Sequence, residues 1–574
     1  MGGMVGRLFQ EFAVSIGVAV LLSGVVSLTL TPMLCARWLT HETPNNRVSR
    51  LFDAAFLRFR DFYADTLRVS MAHRGLMLLL SLVVLGAMFW LAGQVKQGFI
   101  PRVDSGMVFA GIQYPEGIPF EELGKRQQQI AAIVAKNPAV EGVMSSAGQG
   151  GGGASAGNVG RLVIRLTPRN KRAGADQVIS ELRKATRKVS GANVSLQNPS
   201  SINLGAMTSA SDYQLTLKSA NFELLKDAAA RVEKRLESIP QIQQLNSNLE
   251  LRNPELRLKL DTLEAARLGI TAEQVQQTLY DALGGRRISE IYGSNDQYVV
   301  SLKALPEAQL TPDIIGQLPL KTTTGAVTRL DAVARIEAGV GPVAVYHYGQ
   351  QLAVTLSFNL AADASLNLGL DEAYAAAREV LPPGVTLEYT GSAQKFQEST
   401  TELPLLLLFT VMVIYMVLAI LYEHLGHPLT ILTALPLAGF GALLVLLLMG
   451  EELNIFSFVG IILLVGLVKK NGIMMVDFAL TRQRAGLSPE DAIIEACLVR
   501  LRPIMMTTFA AIFATLPIAI GFGTGSEARR PLGVAVVGGL LFSQLLTLYI
   551  TPTFYVSMAR LETRWRNWRA LKLA

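Results

Sequence analysis

The sequence predicts an α-helical membrane bundle of seven transmembrane helices, interrupted by one large α+β insert on the outer side. Three observations predict it. Of 574 residues, 50% are apolar and only 17% charged, a balance richer in apolar residues than that of most soluble domains. Seven uninterrupted apolar stretches each approach or exceed the ~20 residues that cross ~30 Å of hydrocarbon. Residues 94–402, between the second and third stretches, are much more polar and alternate strand-like and helix-like patterns.

The spans are Phe12–Cys35, Gly75–Gly93, Leu403–Tyr422, Leu429–Met449, Phe456–Leu480, Ile504–Gly521 and Leu532–Met558. Arg37, Arg47, Arg50, Arg58, Arg60, Arg68 and Arg74 lie between the first two, and Arg560, Arg564, Arg566 and Arg569 follow the last, so both regions are expected on the cytoplasmic side. Arg482, Arg484, Arg500 and Arg502 also fall inside, and only Arg529 and Arg530 oppose the scheme. The net charge of +7 is mostly this asymmetry and calls for no nucleic-acid partner. Cys35 and Cys497 lie on the inner side and form no extracellular disulfide framework. Between spans one and two, Phe52, Phe56, Phe59 and Tyr63 recur at helical spacing among arginines, which predicts a helix on the inner membrane surface.

The first residues lack the basic region and cleavage site of a signal peptide and read as the middle of a longer sequence. Ser23, Leu28, Thr31 and Pro32 recur at a constant offset of 520 as Ser543, Leu548, Thr551 and Pro552. Span one therefore reads as the last helix of an earlier repeat. Chance recurrence of Thr-Pro in membrane helices is the alternative.

Within the insert, strand Met107–Tyr114, helix Phe120–Lys136, strands Val140–Met144 and Arg161–Leu166, helix Ala175–Val189 and strand Val194–Gln197 give the order βαββαβ. The order restarts with Tyr213–Leu217, Phe222–Ile239, Gln243–Leu249 and Glu255–Leu260. It closes with Val343–Phe358, Leu366–Val380 and Thr386–Tyr389, around an inserted module at 262–340. Gly148–Gly153 matches G-x-G-x-x-G formally, but a strand follows it and no acidic residue is placed for a ribose, so it reads as a loop. No G-x-x-x-x-G-K-[ST] occurs, which leaves no visible means of using ATP. Energy comes from elsewhere or from another chain.

Lys470 carries the main functional signal. An ionisable group at membrane depth costs at least ~2.5–3.5 kcal/mol and is normally kept beside a partner or a watery path. It lies ten residues, or ~15 Å, above the predicted inner end of its span, too deep to snorkel. Lys469 points about 100° away and faces a cavity or polar neighbour. A structural ion pair is the plain alternative for Lys470. Arg500, Arg502, Thr507 and Thr508 of span six could line a polar seam with it, although interfacial anchoring and bonds to their own helix are the commoner uses. Asp477 lies two turns below Lys470 on the same face, and no span offers a midplane carboxylate. Glu423, His424 and His427 form a tight inner turn that lacks a third metal ligand. No nucleophile-base or metal constellation emerges, so no enzyme and no cofactor are expected.

These residues resemble a known family, the resistance-nodulation-division (RND) multidrug efflux transporters, in the hydrophobe/amphiphile branch of Gram-negative bacteria. The resemblance is to the C-terminal half. It is carried by Val26–Cys35, Gly98–Pro101 with Asp104 and Gly106, Tyr422-Glu423 with His427–Leu432, Gly466–Ile473 with Asp477-Phe478, Leu501–Thr507 and Pro531–Gly533. The run Lys469–Phe478 is most similar to subunits B and C of the Mdt system. The resemblance implies that 1–39 is the family's sixth transmembrane helix, 40–74 a cytoplasmic amphipathic segment and 75–97 the seventh helix. It further implies a first ferredoxin-like porter subdomain at 98–210, a second split between 211–261 and 341–395, and an α+β docking module at 262–340. Residues 396–560 would hold helices eight to twelve, and 561–574 a cytoplasmic tail.

In the family, the lysine matching Lys470 pairs with two aspartates of the fourth helix, and positions matching Arg500 and Thr507 complete a proton relay. The resemblance implies an inner-membrane drug/proton antiporter driven by the proton gradient, moving amphipathic small molecules. Its expected partners are two further subunits in a homo- or heterotrimer, a periplasmic adaptor, an outer-membrane channel, and an N-terminal half supplying the aspartates. Phe109, Gln113, Met144 and Gly150 match pocket positions, although Gly148–Gly157 replaces the phenylalanine-bearing loop of the best-known drug pumps. A Cu(I)/Ag(I) exporter of the same superfamily is the alternative. Its soft ligands would be Met107, Met144 and Met207, of which only Met207 falls where metal pumps place one. A non-transporting partner subunit is the third reading.

Overall fold

The structure, a computed structural model, describes residues 3–38, 47–99, 101, 103–115, 117–148, 158–198, 211–249, 253–303, 312–341, 344–361, 364–523 and 525–573. Helices α1 (Gly3–Trp38), α2 (Arg47–Ala72) and α3 (Arg74–Gln94) lead into the insert. Its first unit runs β1 (Met107–Gln113), α4 (Phe120–Ala135), β2 (Val140–Ala147), β3 (Val159–Leu166), α5 (Ala175–Thr186) and β4 (Asn193–Gln197). The four strands form one antiparallel sheet in the order β2-β3-β1-β4. Alternation decides its two faces: Val108, Ala110 and Ile112 point into a core with Leu123 and Ile130 of α4 and Leu182 of α5. Met107, Phe109, Gly111 and Gln113 face the other way, where among the described residues no helix covers the sheet.

The second unit starts with β5 (Tyr213–Ser219), α6 (Phe222–Glu237) and β6 (Ile242–Ser247). Asn221 caps α6, its side chain accepting from the amides of Glu223 and Leu224. Next come β7 (Asn253–Leu260), α7 (Thr262–Arg267), α8 (Ala272–Leu279), β8 (Arg286–Tyr292), β9 (Gln297–Leu302), α9 (Pro312–Gly316), β10 (Pro319–Lys321), β11 (Val327–Arg329) and β12 (Ala334–Gly341). Strand β7 pairs along its length with β12, so the intervening residues leave and re-enter through a two-stranded ribbon with its own small core around Ile270, Leu330 and Val333. The unit then closes with β13 (Tyr346–Tyr348), β14 (Gln351–Leu360), α10 (Leu366–Glu379) and β15 (Thr386–Thr390). The expected single strand Val343–Phe358 is a hairpin instead, turning where Gly349 and Gln350 both adopt positive φ. The sheet order β13-β14-β5-β15, with β6 on β14, buries Leu215, Leu217, Leu356 and Phe358 against α6 and α10.

Strand β15 passes directly into α11 (Gly391–Tyr422), with Gly391 at φ 62 making the joint. The expected span begins at Leu403, but the helix starts twelve residues earlier because Ala393 and Phe396 are buried in the core of the second unit. After α12 (Gly426–Leu432) and α13 (Ala434–Met449) come α14 (Ile455–Arg484), α15 (Pro489–Ile520) and α16 (Arg530–Leu573). Among the described residues seven helices are long and apolar enough to cross a membrane, with α12 and α13 together making one span. Helix α15 begins well before the expected Ile504: Ser488 caps it by accepting from Asp491 N, Pro489 opens it, and Ala492, Ile493 and Ala496 dock in the bundle.

Glycines set the bundle's tight packing. An added Cβ on Gly538 would meet Val445 Cβ at 2.6 Å and Gly441 O at 2.9 Å, and one on Gly460 would meet Leu532 O at 2.9 Å. Small residues there let α13, α14 and α16 approach backbone to backbone. Helix α2 is divided in use: Tyr63, Leu67 and Met71 are buried against the bundle, while Phe59 and Phe62 stay exposed on the predicted membrane-surface side.

Candidate functional site

Helix α14 starts with a capping box in which Asn454 and Ser457 satisfy each other's backbone amides, and it carries Lys469, Lys470 and Asn471 at mid-length. Asn471 is buried and donates to Thr508 Oγ1 at 3.2 Å and to Gln544 Oε1 at 3.0 Å. Thr508 donates to the same Gln544 oxygen at 2.7 Å. One amide-hydroxyl-amide triad thus joins α14, α15 and α16 inside the bundle. Gln544 went unnoticed in the sequence, although an amide inside the apolar run 532–558 is itself a signal.

Helices α14 and α15 are consecutive, run antiparallel and touch through Asn471 and Thr508. Lys470 and Thr507 each precede that contact by one residue, a turn of about 100°. On antiparallel helices those turns carry both to the same side of the pair. Arg500, seven residues before Thr507, shares its face of α15. The three expected relay residues therefore lie on one side of the α14–α15 pair, and Lys470 and Asp477 are exposed there with Leu467.

Their contacts differ from a closed relay. Thr507 donates back to Ile504 O at 3.1 Å, the ordinary use of a helical threonine. The Arg500 guanidinium lies over the Phe478 ring at 5.0 Å, sharing it with Arg482 at 5.3 Å, and Arg482 pairs with Glu495 at 2.7 Å. Arg502 joins α2 instead, pairing with Asp53 at 3.4 Å and lying over Phe56. No salt bridge to Lys470 exists among the described residues. At the inner turn, His424 and His427 stack at 4.2 Å and His424 Nε2 donates to Glu562 at 3.2 Å. Among the described residues no group of three or more His, Cys, Asp or Glu is arranged to hold a metal ion.

On the outer side, the open face of the first sheet gathers the expected pocket residues. Met144, Val163, Phe109 and Gln197 follow one another across β2, β3, β1 and β4 in one row. Gln113 lies further along β1 on the same face, and Arg161 lies over the Phe109 ring at 5.3 Å. Met107 and Met144 are 44% and 67% exposed, so two thioethers stand on a surface where apolar side chains are usually covered. Register places them about 12 Å apart, two strands and two residues. Gly150 and Met207 lie outside the described residues.

A family model described as the AcrB/AcrD/AcrF family matches residues 1–559. Two solved structures, both of a heavy metal efflux pump in different crystal forms, share the fold. One has a TM-score of 0.80 at 24% identity, covering 88% of this chain and 53% of its own. The other has a TM-score of 0.78 at 24% identity, covering 88% and 52%. The chain spans about half the length of these matched chains.

The expected multidrug assignment, with Mdt subunits B and C as nearest relatives and drug/proton antiport of amphipathic compounds as the activity, is corrected by this comparison. The matched structures are metal pumps. The physical reason lies in what the motif residues do: Asn471 pins three helices, Gly472 packs on Ile431, and Gly533 abuts the α15 backbone at Ala519. Such residues report the shared membrane scaffold and say nothing about cargo.

Proposed function

The chain belongs to the AcrB/AcrD/AcrF family, with a multi-pass inner-membrane topology and a large periplasmic α+β domain, and on that premise we propose that it forms part of a proton-driven exporter of soft heavy-metal cations. Members of this family are secondary transporters rather than enzymes. The cargo proposed is Cu(I) or Ag(I), for which thioether sulfur is a matched ligand. One observation carries this reading: Met107 and Met144 stand exposed on the uncovered face of the first sheet, in a fold shared with a heavy metal efflux pump.

The two units with sheet orders β2-β3-β1-β4 and β6-β14-β5-β15 are read as ferredoxin-like porter subdomains, and the module beyond the β7–β12 ribbon as the docking part. Lys470, Arg500 and Thr507 are assigned to proton coupling. Acidic partners for Lys470 would come from membrane helices beyond this chain, and assembly would involve further subunits, a periplasmic adaptor and an outer-membrane channel. Protonating such partners would release the lysine and change its pairing, which provides a two-state element that the periplasmic units can follow.

The test is made in the native host. Deleting the gene should raise cell-associated silver at subinhibitory Ag(I), and the wild-type gene should restore the low level. The Met107→Leu, Met144→Leu double variant should fail to restore it while reaching the membrane in normal amount. Export of an amphipathic dye with no effect on silver would overturn the metal assignment.

A further inference from the structure

The periplasmic end of the bundle holds a charged joint that the proton-coupling residues do not use. Asp104, in the segment between α3 and β1, forms a two-point ion pair with Arg172, Nη1 to Oδ2 at 2.7 Å and Nη2 to Oδ1 at 2.5 Å. Both side chains are buried, 8% and 2% exposed. The carboxylate also accepts from the amides of Gly106 and Ala175, each at 3.1 Å, the latter opening α5. Arg172 is satisfied in turn by Thr167 O and Ala173 O. A bidentate pair with every neighbouring donor and acceptor engaged is rigid, so this knot belongs to the first unit as a fixed part.

The other side is equally rigid. A 3-10 turn, Ser526–Ala528, links α15 to α16, and Gly525 opens it at φ 74. Below it Gly533 and Gly460 leave no room for a Cβ between α14, α15 and α16. Helix α16 then carries Gln544 of the buried triad, about 21 Å further down its axis from Arg530.

Glu527 joins the two bodies. Its Oε2 accepts from the backbone amide of Asp104 at 3.1 Å, and its Oε1 pairs with Arg169 in the turn after β3. Here the Arg169 side chain is 50% and that of Glu527 29% exposed, unlike the knot beside them. An exposed pair contributes little net stability and opens readily, whereas the buried pair does not. The first unit therefore meets the α15–α16 turn through a partly exposed polar contact, beside the segment after α3, whose Lys96 and Gly98 are hydrogen-bonded to Leu453 of the bundle.

We propose that Glu527 is a releasable latch between the first periplasmic unit and helices α15 and α16, open in part of the transport cycle and closed in the rest. This rests on the transport reading above. It makes Glu527 a positioning residue: it touches no cargo and acts by holding the first sheet in register with the helix bearing the triad.

The experiment uses the protein in its native membrane with Arg169→Cys and Glu527→Cys in a Cys35→Ser background, Cys497 being buried. Disulfide formation between positions 169 and 527 is followed with an imposed proton gradient and after its collapse by an uncoupler. The latch predicts several-fold slower cross-linking while the gradient drives the cycle, and a fall in silver export on oxidation, relative to the reduced variant's own level, that a reductant reverses. Cross-linking at one rate in both conditions, or full export by the oxidised protein, would overturn it. If neither wild type nor reduced variant exports silver, the cargo assignment falls, while the gradient dependence of the cross-link still decides the latch.

Discussion

A single asparagine does more for the membrane core than either of the lysines before it. Asn471 donates to Thr508 and to Gln544, so its loss removes two interhelical bonds and leaves only the Thr508–Gln544 bond of the triad. Interhelical bonds in membranes average only ~0.6 kcal/mol and reach ~1.7, because the unfolded chain finds other partners. Asn471→Ala is therefore expected to cost about 1 to 2 kcal/mol for the two bonds together, seen as a modest drop in melting temperature in detergent. A drop near zero would show that the triad is incidental. Asp104 makes a larger contribution. Hydrogen bonds from Arg172 hold its carboxyl below the usual carboxylate range, against the upward push of burial. Its folded value being the lower one, its contribution is complete above the ordinary carboxylate range and is lost as pH falls through the depressed value. Proteolysis of the first unit should therefore accelerate only below about pH 4. Asp104→Asn should abolish that dependence while costing about 3–5 kcal/mol, because Arg172 stays charged and buried.

Among elements, the glycine seams decide whether the helices pack. Gly538→Leu drives a side chain into Val445 and the Gly441 carbonyl, whereas an added Cβ at Gly466 meets nothing within 4 Å. The first substitution should abolish folded protein in the membrane and Gly466→Leu should leave its yield unchanged, as measured by size-exclusion chromatography in detergent. Equal yields would refute the packing account. How much of this is legible beforehand follows the same physics. The strand and helix order of the first unit is legible because Val108, Ala110 and Ile112 alternate and α4 repeats its apolar residues on one face. The start of α15 is hidden because charges at Glu490, Asp491, Glu495, Arg500 and Arg502 interrupt the apolar residues of Pro489–Arg502, and the segment docks Ala492, Ile493 and Ala496 on neighbours distant in sequence. The β7–β12 ribbon is hidden for a similar reason, its partners lying more than 70 residues apart. At the site, the deep lysine is legible as an expensive charge, while Gln544 gains meaning only when α16 meets α14 and α15.

For the molecule as a whole, burial is uneven in a telling way. The most apolar windows of α1 and α11 are 0% and 6% buried by this chain, against 67% for α16. Lys470 is exposed on its side of the α14–α15 pair, near Leu467, a surface suited to further helices and to acidic partners for the lysine. The fold thus supplies a basic group at membrane depth, a stiff bundle around it, and two sheets that could follow its state. The most direct check is silver export in the native host with Lys470→Ala, scored beside wild type with and without an uncoupler. The account predicts that wild-type export stops on uncoupling and that Lys470→Ala exports no faster than the uncoupled wild type, with normal membrane abundance. Gradient-dependent export by Lys470→Ala at the wild-type rate would contradict it.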